Sequence, residues 1–202
     1  MKKLIYLYIL ITILLFTSPS NTMANTAGTS ADLALSSKIS SNEIKSINMQ
    51  KKRMAIGSVL RKHNSPLLND VDSFMDTCQK YDLDCYLLPS ISGIESTFGK
   101  FIYPNSFNPF GWGRGLIMFN NWSEAIDTVG RGLRVNYMDK WGATTVEEIG
   151  RIYCEGDTWA SKVNYFMNQF KADKKTYQFW KNYFSSQGLN IVELTAKKCA
   201  SS

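Results

Sequence analysis

The sequence predicts a mainly α-helical domain, on three observations. Apolar residues recur at helical spacing after residue 42, as in Leu67, Val71, Phe74, Met75 and Cys78. Capping residues stand just ahead of several such stripes. One long stretch, Gly99 to Asn120, loses that periodicity and is rich in Gly, Asn and aromatic residues. It reads as one small irregular or β-hairpin lobe.

The first 24 residues read as an export signal. Lys2 and Lys3 precede an apolar run from Leu4 to Phe16, and Thr22-Met23-Ala24 suits a signal-peptidase site. The run is short against the roughly 20 residues of a membrane span. Cleavage after Ala24 is expected, with an uncleaved anchor as the other reading. The expected location of this bacterial-type chain is therefore the periplasm, the cell envelope or outside the cell. Residues 25–41 are Ser-, Thr- and Ala-rich and read as a flexible linker. The domain is placed at 42–185 and a tail at 186–202.

Export gives the four cysteines an oxidising setting, hence two disulfides in one of three connectivities. Cys78 and Cys85 flank a short turn and make the easy local pair, which leaves Cys154 to tether the tail through Cys199. A metal site is not expected, because no CxxC spacing exists and the single histidine, His63, falls in a polar turn. That histidine reads as a surface residue, which leaves a Ser-His-Asp or Cys-His mechanism without its base. No cofactor is called for. The formal charge is +6, and losing Lys2 and Lys3 with the signal leaves +4. A modest positive charge suits an anionic envelope. The dense Arg/Lys and aromatic pattern of a nucleic-acid binder is missing.

In chain order, Asn42 to Lys62 reads as a helix whose Lys51, Lys52 and Arg53 form a solvated face. His63-Asn64-Ser65-Pro66 breaks it, and Pro66 opens the next element. Asp84 is the expected cap of the following helix, and Pro89 is tolerable there only in the first turn. Asn121-Trp122-Ser123-Glu124 starts a further helix with the stripe Trp122, Ile126, Val129, Leu133 and Tyr137. Thr144 or Thr145 caps a short helix with face Val146, Ile149 and Tyr153. A last strong helix shows Trp159, Val163, Phe166, Met167 and Phe170 in register, and both Trp122 and Trp159 fit these core stripes.

Between Leu88 and Gly113 stands one carboxylate, Glu95. As a helix, this segment puts Glu95 on the apolar face of Leu88, Ile91 and Phe98. Loss of hydration there raises a carboxyl's pKa, and a glutamate kept protonated near neutral pH can protonate a leaving-group oxygen. The aromatic and amide residues that follow are the usual lining of a sugar-binding groove, and also of ordinary turns.

Gly93-Ile94-Glu95-Ser96-Thr97-Phe98-Gly99, then Asn108-Pro109-Phe110-Gly111, then Ile152-Tyr153 with Trp159-Ala160-x-x-Val163 appear in that order. Together they resemble the lysozyme-like superfamily of goose-lysozyme and lytic-transglycosylase type, with the related bacterial peptidoglycan N-acetylglucosaminidases. The resemblance spans about Val71 to Phe170. It implies Glu95 as the acid–base residue, with Tyr153 lining the catalytic centre and bonding near the scissile sugar or Glu95. It also implies Ser96, Asn108, Phe110, Gly111 and Trp112 as glycan-binding positions, and peptidoglycan strands as the partner of a monomer. A core tyrosine and plain lobe packing are the competing readings of Tyr153, Phe110 and Trp112.

The lobe offers no second carboxylate. Hydrolytic glycosidases generally use two, whereas a lytic transglycosylase, as the family is understood, needs one and closes a 1,6-anhydro ring on N-acetylmuramic acid. The reading is therefore a single-Glu transglycosylase. Its alternatives are a hydrolase drawing a second acid from Glu124, Asp127, Glu155 or Asp157, and a non-catalytic module that binds glycan.

Overall fold

The computed structural model describes residues 41–154 and 158–188. The export signal, the linker apart from Ser41, the tail after residue 188, Cys199, Glu155 and Asp157 lie outside them. Ser41 to Ile44 belong to a leading unit, Met1–Ile44, and are helical; a second unit runs from Lys45 onward and holds everything that follows.

Helix α1 spans Ser41–Lys62 and ends before Asn64, a left-handed residue with φ 49°. Ser65 then caps a 3-10 helix, Pro66–Asp70, by accepting the Leu67 N–H, so Pro66 opens that short element and not the α-helix. Helix α2, Val71–Lys80, follows directly and buries Phe74, Met75 and Cys78. A disulfide joins Cys78 to Cys85 across the turn that leads into α3, Leu87–Ser96. Asp84 does not cap α3. Its carboxylate accepts the Tyr86 N–H inside the turn, and α3 begins three residues after it, with Pro89 in the first turn where a missing N–H costs least.

Helix α3 is buried nearly all round, which marks a central element. It packs on α6, Trp159–Lys171, which in turn packs on α5, Val146–Tyr153. Helix α4, Trp122–Gly132, packs on α2. Its cap is Asn121, whose side chain accepts the Glu124 N–H. Thr145 caps α5 in a reciprocal capping box with Glu148. After Gly132 the winding widens into a π-helical stretch, Leu133–Lys140, a form that occurs mostly as short departures inside α-helices.

No strand occurs among the described residues, so of the two forms expected for the lobe between α3 and α4 it takes the irregular one. One expectation changes here. A helix α7, Lys174–Ser186, follows α6 where no element was expected; Asp173 caps it and Thr176, Trp180 and Phe184 are its buried stripe. No helix among the described residues is long and apolar enough to cross a membrane. Cys154 is exposed and has no disulfide partner among them.

Candidate active site

Glu95 sits in the last turn of α3, and the chain leaves that turn abruptly. Thr97, Phe98 and Gly99 take φ values of 52°, 58° and 80°. The left-handed region suits glycine and strains Thr and Phe. Phe98 therefore lies beyond the helix and not on one face with Glu95, as helical spacing had suggested. Packing holds the strained turn in place: Phe98 is fully buried, with its ring 5.0 Å from Phe166 and 4.6 Å from His63. Its carbonyl accepts the Ser65 hydroxyl at 2.8 Å.

His63 is thus half-buried, with one edge of its ring turned inward. Its Nε2 is buried without a partner, and burial, with Lys100 and Lys62 nearby, lowers its pKa against an opposing hydrogen bond from Gln169. Its ring packs against Phe98 behind the Glu95 turn.

Trp159, at the head of α6, brings its indole N–H to Glu95 Oε1 at 2.9 Å. Tyr153, at the end of α5, stacks on that indole with centroids 4.9 Å apart. The Tyr153 hydroxyl donates to the Phe110 carbonyl at 2.7 Å. That bond sets the next residue, Gly111, against the carboxyl: a Cβ there would lie 3.3 Å from Glu95 Oε2. Gly111 also has φ 63°, so glycine serves both the turn and the close approach. Of the two partners the resemblance implied for Tyr153, the scissile sugar or Glu95, Glu95 is not bonded to it; Tyr153 instead meets the carboxyl through the lobe backbone.

Glu95 remains open to solvent as a residue, while the packing of its carboxyl by the indole and the lobe has an electrostatic effect. Burial raises its pKa from the ordinary glutamate value, opposed by the Trp159 hydrogen bond and the Lys162 cation. Lys162 lies one helical turn after Trp159. The Tyr153 hydroxyl is pushed well above 10, mainly by burial and then by the Glu95 charge, so it stays a donor.

The remaining predicted positions divide. Ser96, Asn108 and Phe110 are buried and do not present side chains to a ligand. The Ser96 hydroxyl donates to the Pro109 carbonyl at 2.7 Å and accepts the Gly99 N–H at 2.8 Å. The Asn108 amide holds the lobe together, donating to the carbonyls of Trp112 and Ile117 and accepting the Trp112 N–H. They build the lobe from behind. Gly111 and Trp112 are at the site. Trp112 packs against Tyr153 and Tyr137, with centroids 5.9 and 6.1 Å away, and Tyr137 in turn meets the exposed Trp141 at 5.2 Å.

Trp159, Lys162 and Tyr137 were not among the predicted site residues. Trp159 fits a core stripe, and it is in the core; the available signal was its indole N–H, which needs an acceptor once buried. Of the acids considered as a second carboxylate, Asp127 is held by Lys80 and the Tyr81 hydroxyl, and Glu124 by the backbone and amide of Asn120. Glu95 lines neither of two clefts of about 550 and 630 Å³ elsewhere in the second unit, so chemistry and not depth distinguishes its site. No family model, curated protein or solved structure matches this chain.

Proposed function

We propose that this chain is an exported peptidoglycan lytic transglycosylase, with the glycan strand as substrate and Glu95 as its one acid–base residue. The observation that carries the reading is the Glu95 carboxyl itself. It is accessible, has raised proton affinity, and is oriented by Trp159, whose ring stacks on Tyr153 in a cluster with Trp112 and Tyr137. The Cys78–Cys85 disulfide suits the oxidising compartment that export implies.

In this mechanism protonated Glu95 gives its proton to the glycosidic oxygen as the C1–O bond breaks, leaving an oxocarbenium-like sugar. The new carboxylate is stabilised by the Trp159 N–H and the Lys162 charge. It then takes the proton of the same sugar's C6 hydroxyl, whose oxygen bonds to C1. A 1,6-anhydro product forms, no water is consumed, and Glu95 ends protonated as it began. The engagement of Asp127 and Glu124 elsewhere supports a one-carboxylate scheme.

The test is mass spectrometry of purified peptidoglycan digested with the protein and with Glu95→Gln. Anhydro-muramyl products that vanish in the variant are expected. Reducing-end products would replace the scheme with a two-carboxylate hydrolysis. A folded protein that binds glycan yet yields no product would make it a binding module.

A further inference from the structure

Helix α1 carries a stripe that the core does not use. Gln50, Arg53, Met54, Gly57, Ser58 and Arg61 share one face and line a cleft of about 630 Å³. Facing them are Leu68 of the 3-10 helix and Val71 at the head of α2, with Lys175 and Phe179 from the start of α7. The volume is that of an ordinary small-molecule site.

Its charge is one-sided. Arg53, Arg61 and Lys175 line the cleft, and no carboxylate does. Arg53 is satisfied by Asp72. Arg61 and Lys175 are exposed and have no ion pair or hydrogen bond among the described residues. The Asp173 carboxylate stands at the edge of the cleft, where it accepts the Ser58 hydroxyl and the Thr176 N–H of two lining residues and makes no ion pair with Arg61 or Lys175.

Gly57 distinguishes a built cleft from a gap. At Gly93, Gly130, Gly132 and Gly150 packing demands glycine, since an added Cβ would come within 2.8, 2.3, 2.8 and 2.9 Å of a neighbouring side chain. At Gly57 the nearest atom is Val71 Cγ2 at 3.9 Å, so alanine would fit. A mid-helix glycine lowers helix propensity. What it provides here is an open floor midway between Arg53 and Arg61.

We propose that this cleft is a second binding site, for an organic anion with an apolar body. The anionic group sits between Arg61 and Lys175, and the body lies on Met54, Leu68 and Phe179. The site stands independently of the role given to Glu95.

The test titrates the full chain with 2-naphthoate and with its neutral counterpart 2-naphthol, followed by calorimetry and by amide chemical shifts. Saturable naphthoate binding is expected, with shifts centred on α1 and the start of α7. Affinity should fall about tenfold or more for 2-naphthol, and likewise for naphthoate with Arg61→Gln plus Lys175→Gln. Gly57→Leu should abolish binding, while Gly57→Ala should melt at or above the parent temperature. Equal binding of acid and alcohol would overturn the proposal. So would naphthoate binding undiminished by Gly57→Leu or by the exposed double charge variant, or no saturation at millimolar probe.

Discussion

The indole N–H of Trp159 donates to Glu95 Oε1 at 2.9 Å, tying the first turn of α6 to the last turn of α3. Each residue meets a need of the other. A buried indole usually finds an acceptor, and a partly buried carboxylate gains from a donor. The bond favours the charged form of Glu95 and works against the burial that raises its pKa. On the transglycosylase reading, the balance between the two suits a carboxyl that gives a proton and then recovers one.

Trp159→Phe keeps most of the ring and deletes the donor. Because the lost bond stabilised the carboxylate, the Glu95 pKa rises further. The alkaline limb of kcat/KM, where the acid form is lost, should move to higher pH. With the carboxyl no longer oriented, kcat should fall about ten- to hundredfold. A pH–rate profile with stable folding by circular dichroism checks both.

Glu95 also links pH to stability. Its folded pKa is raised above the unfolded one, so at intermediate pH the native state holds more protons than the unfolded state. Stability from this group is therefore greatest below the unfolded pKa and declines as pH climbs through the folded one. Glu95→Gln removes that decline. Its melting temperature should gain on the parent as pH rises from about 4 to 7. A scan in which the difference shrinks over that range would refute the linkage.

Tyr153→Phe leaves the stack on Trp159 and orphans the Phe110 carbonyl, whose residue is fully buried. A loss of about 1–2 kcal/mol in urea unfolding is expected. Activity should fall through kcat, since Gly111 loses its stop against Glu95. An unchanged rate would mean that the lobe is held in place by Asn108 and Ser96 without the tyrosine.

Replacing Cys78 and Cys85 by Ser removes a link between residues only seven apart. The chain-entropy account of such a short loop gives a cost of about 2–3 kcal/mol. Peptide mass mapping of the parent should find the two bridged, and unfolding of the double variant should show the loss.

The helices were legible where one face is buried and the end is capped. Asn121 ahead of Trp122 and Thr145 ahead of Val146 are such cases, and both caps form. Helix α7 was not, because its stripe of Thr176, Trp180 and Phe184 is interrupted by the exposed Tyr177, Phe179 and Tyr183. At the site, Glu95 could be singled out as a lone carboxylate. Its partner could not, since Trp159 lies 64 residues away and already satisfies a core pattern. Ser96, Asn108 and Phe110 are residue types that suit a groove wall or the scaffold behind it, and only the fold separates the two. His63 escaped because the left-handed exit after Ser96 swings Phe98 onto it, a contact that no helical spacing encodes.

That exit also sets what drift can do beside Glu95. Thr97, Phe98 and Gly99 share one backbone hand but face different futures. At Thr97 a change to Gly or Asn relieves a local strain of about 1–2 kcal/mol and removes no fully buried side chain. At Phe98 the same change would empty a fully buried aromatic seat, costing about 3–5 kcal/mol when the ring is lost. At Gly99 any side chain meets Leu67 Cγ at 3.2 Å and Pro66 Cγ at 3.3 Å. Descendants of this chain are free to soften the turn at its first residue and are held at the next two. The position of Glu95 is thus inherited through the packing of Phe98 and the close quarters of Gly99.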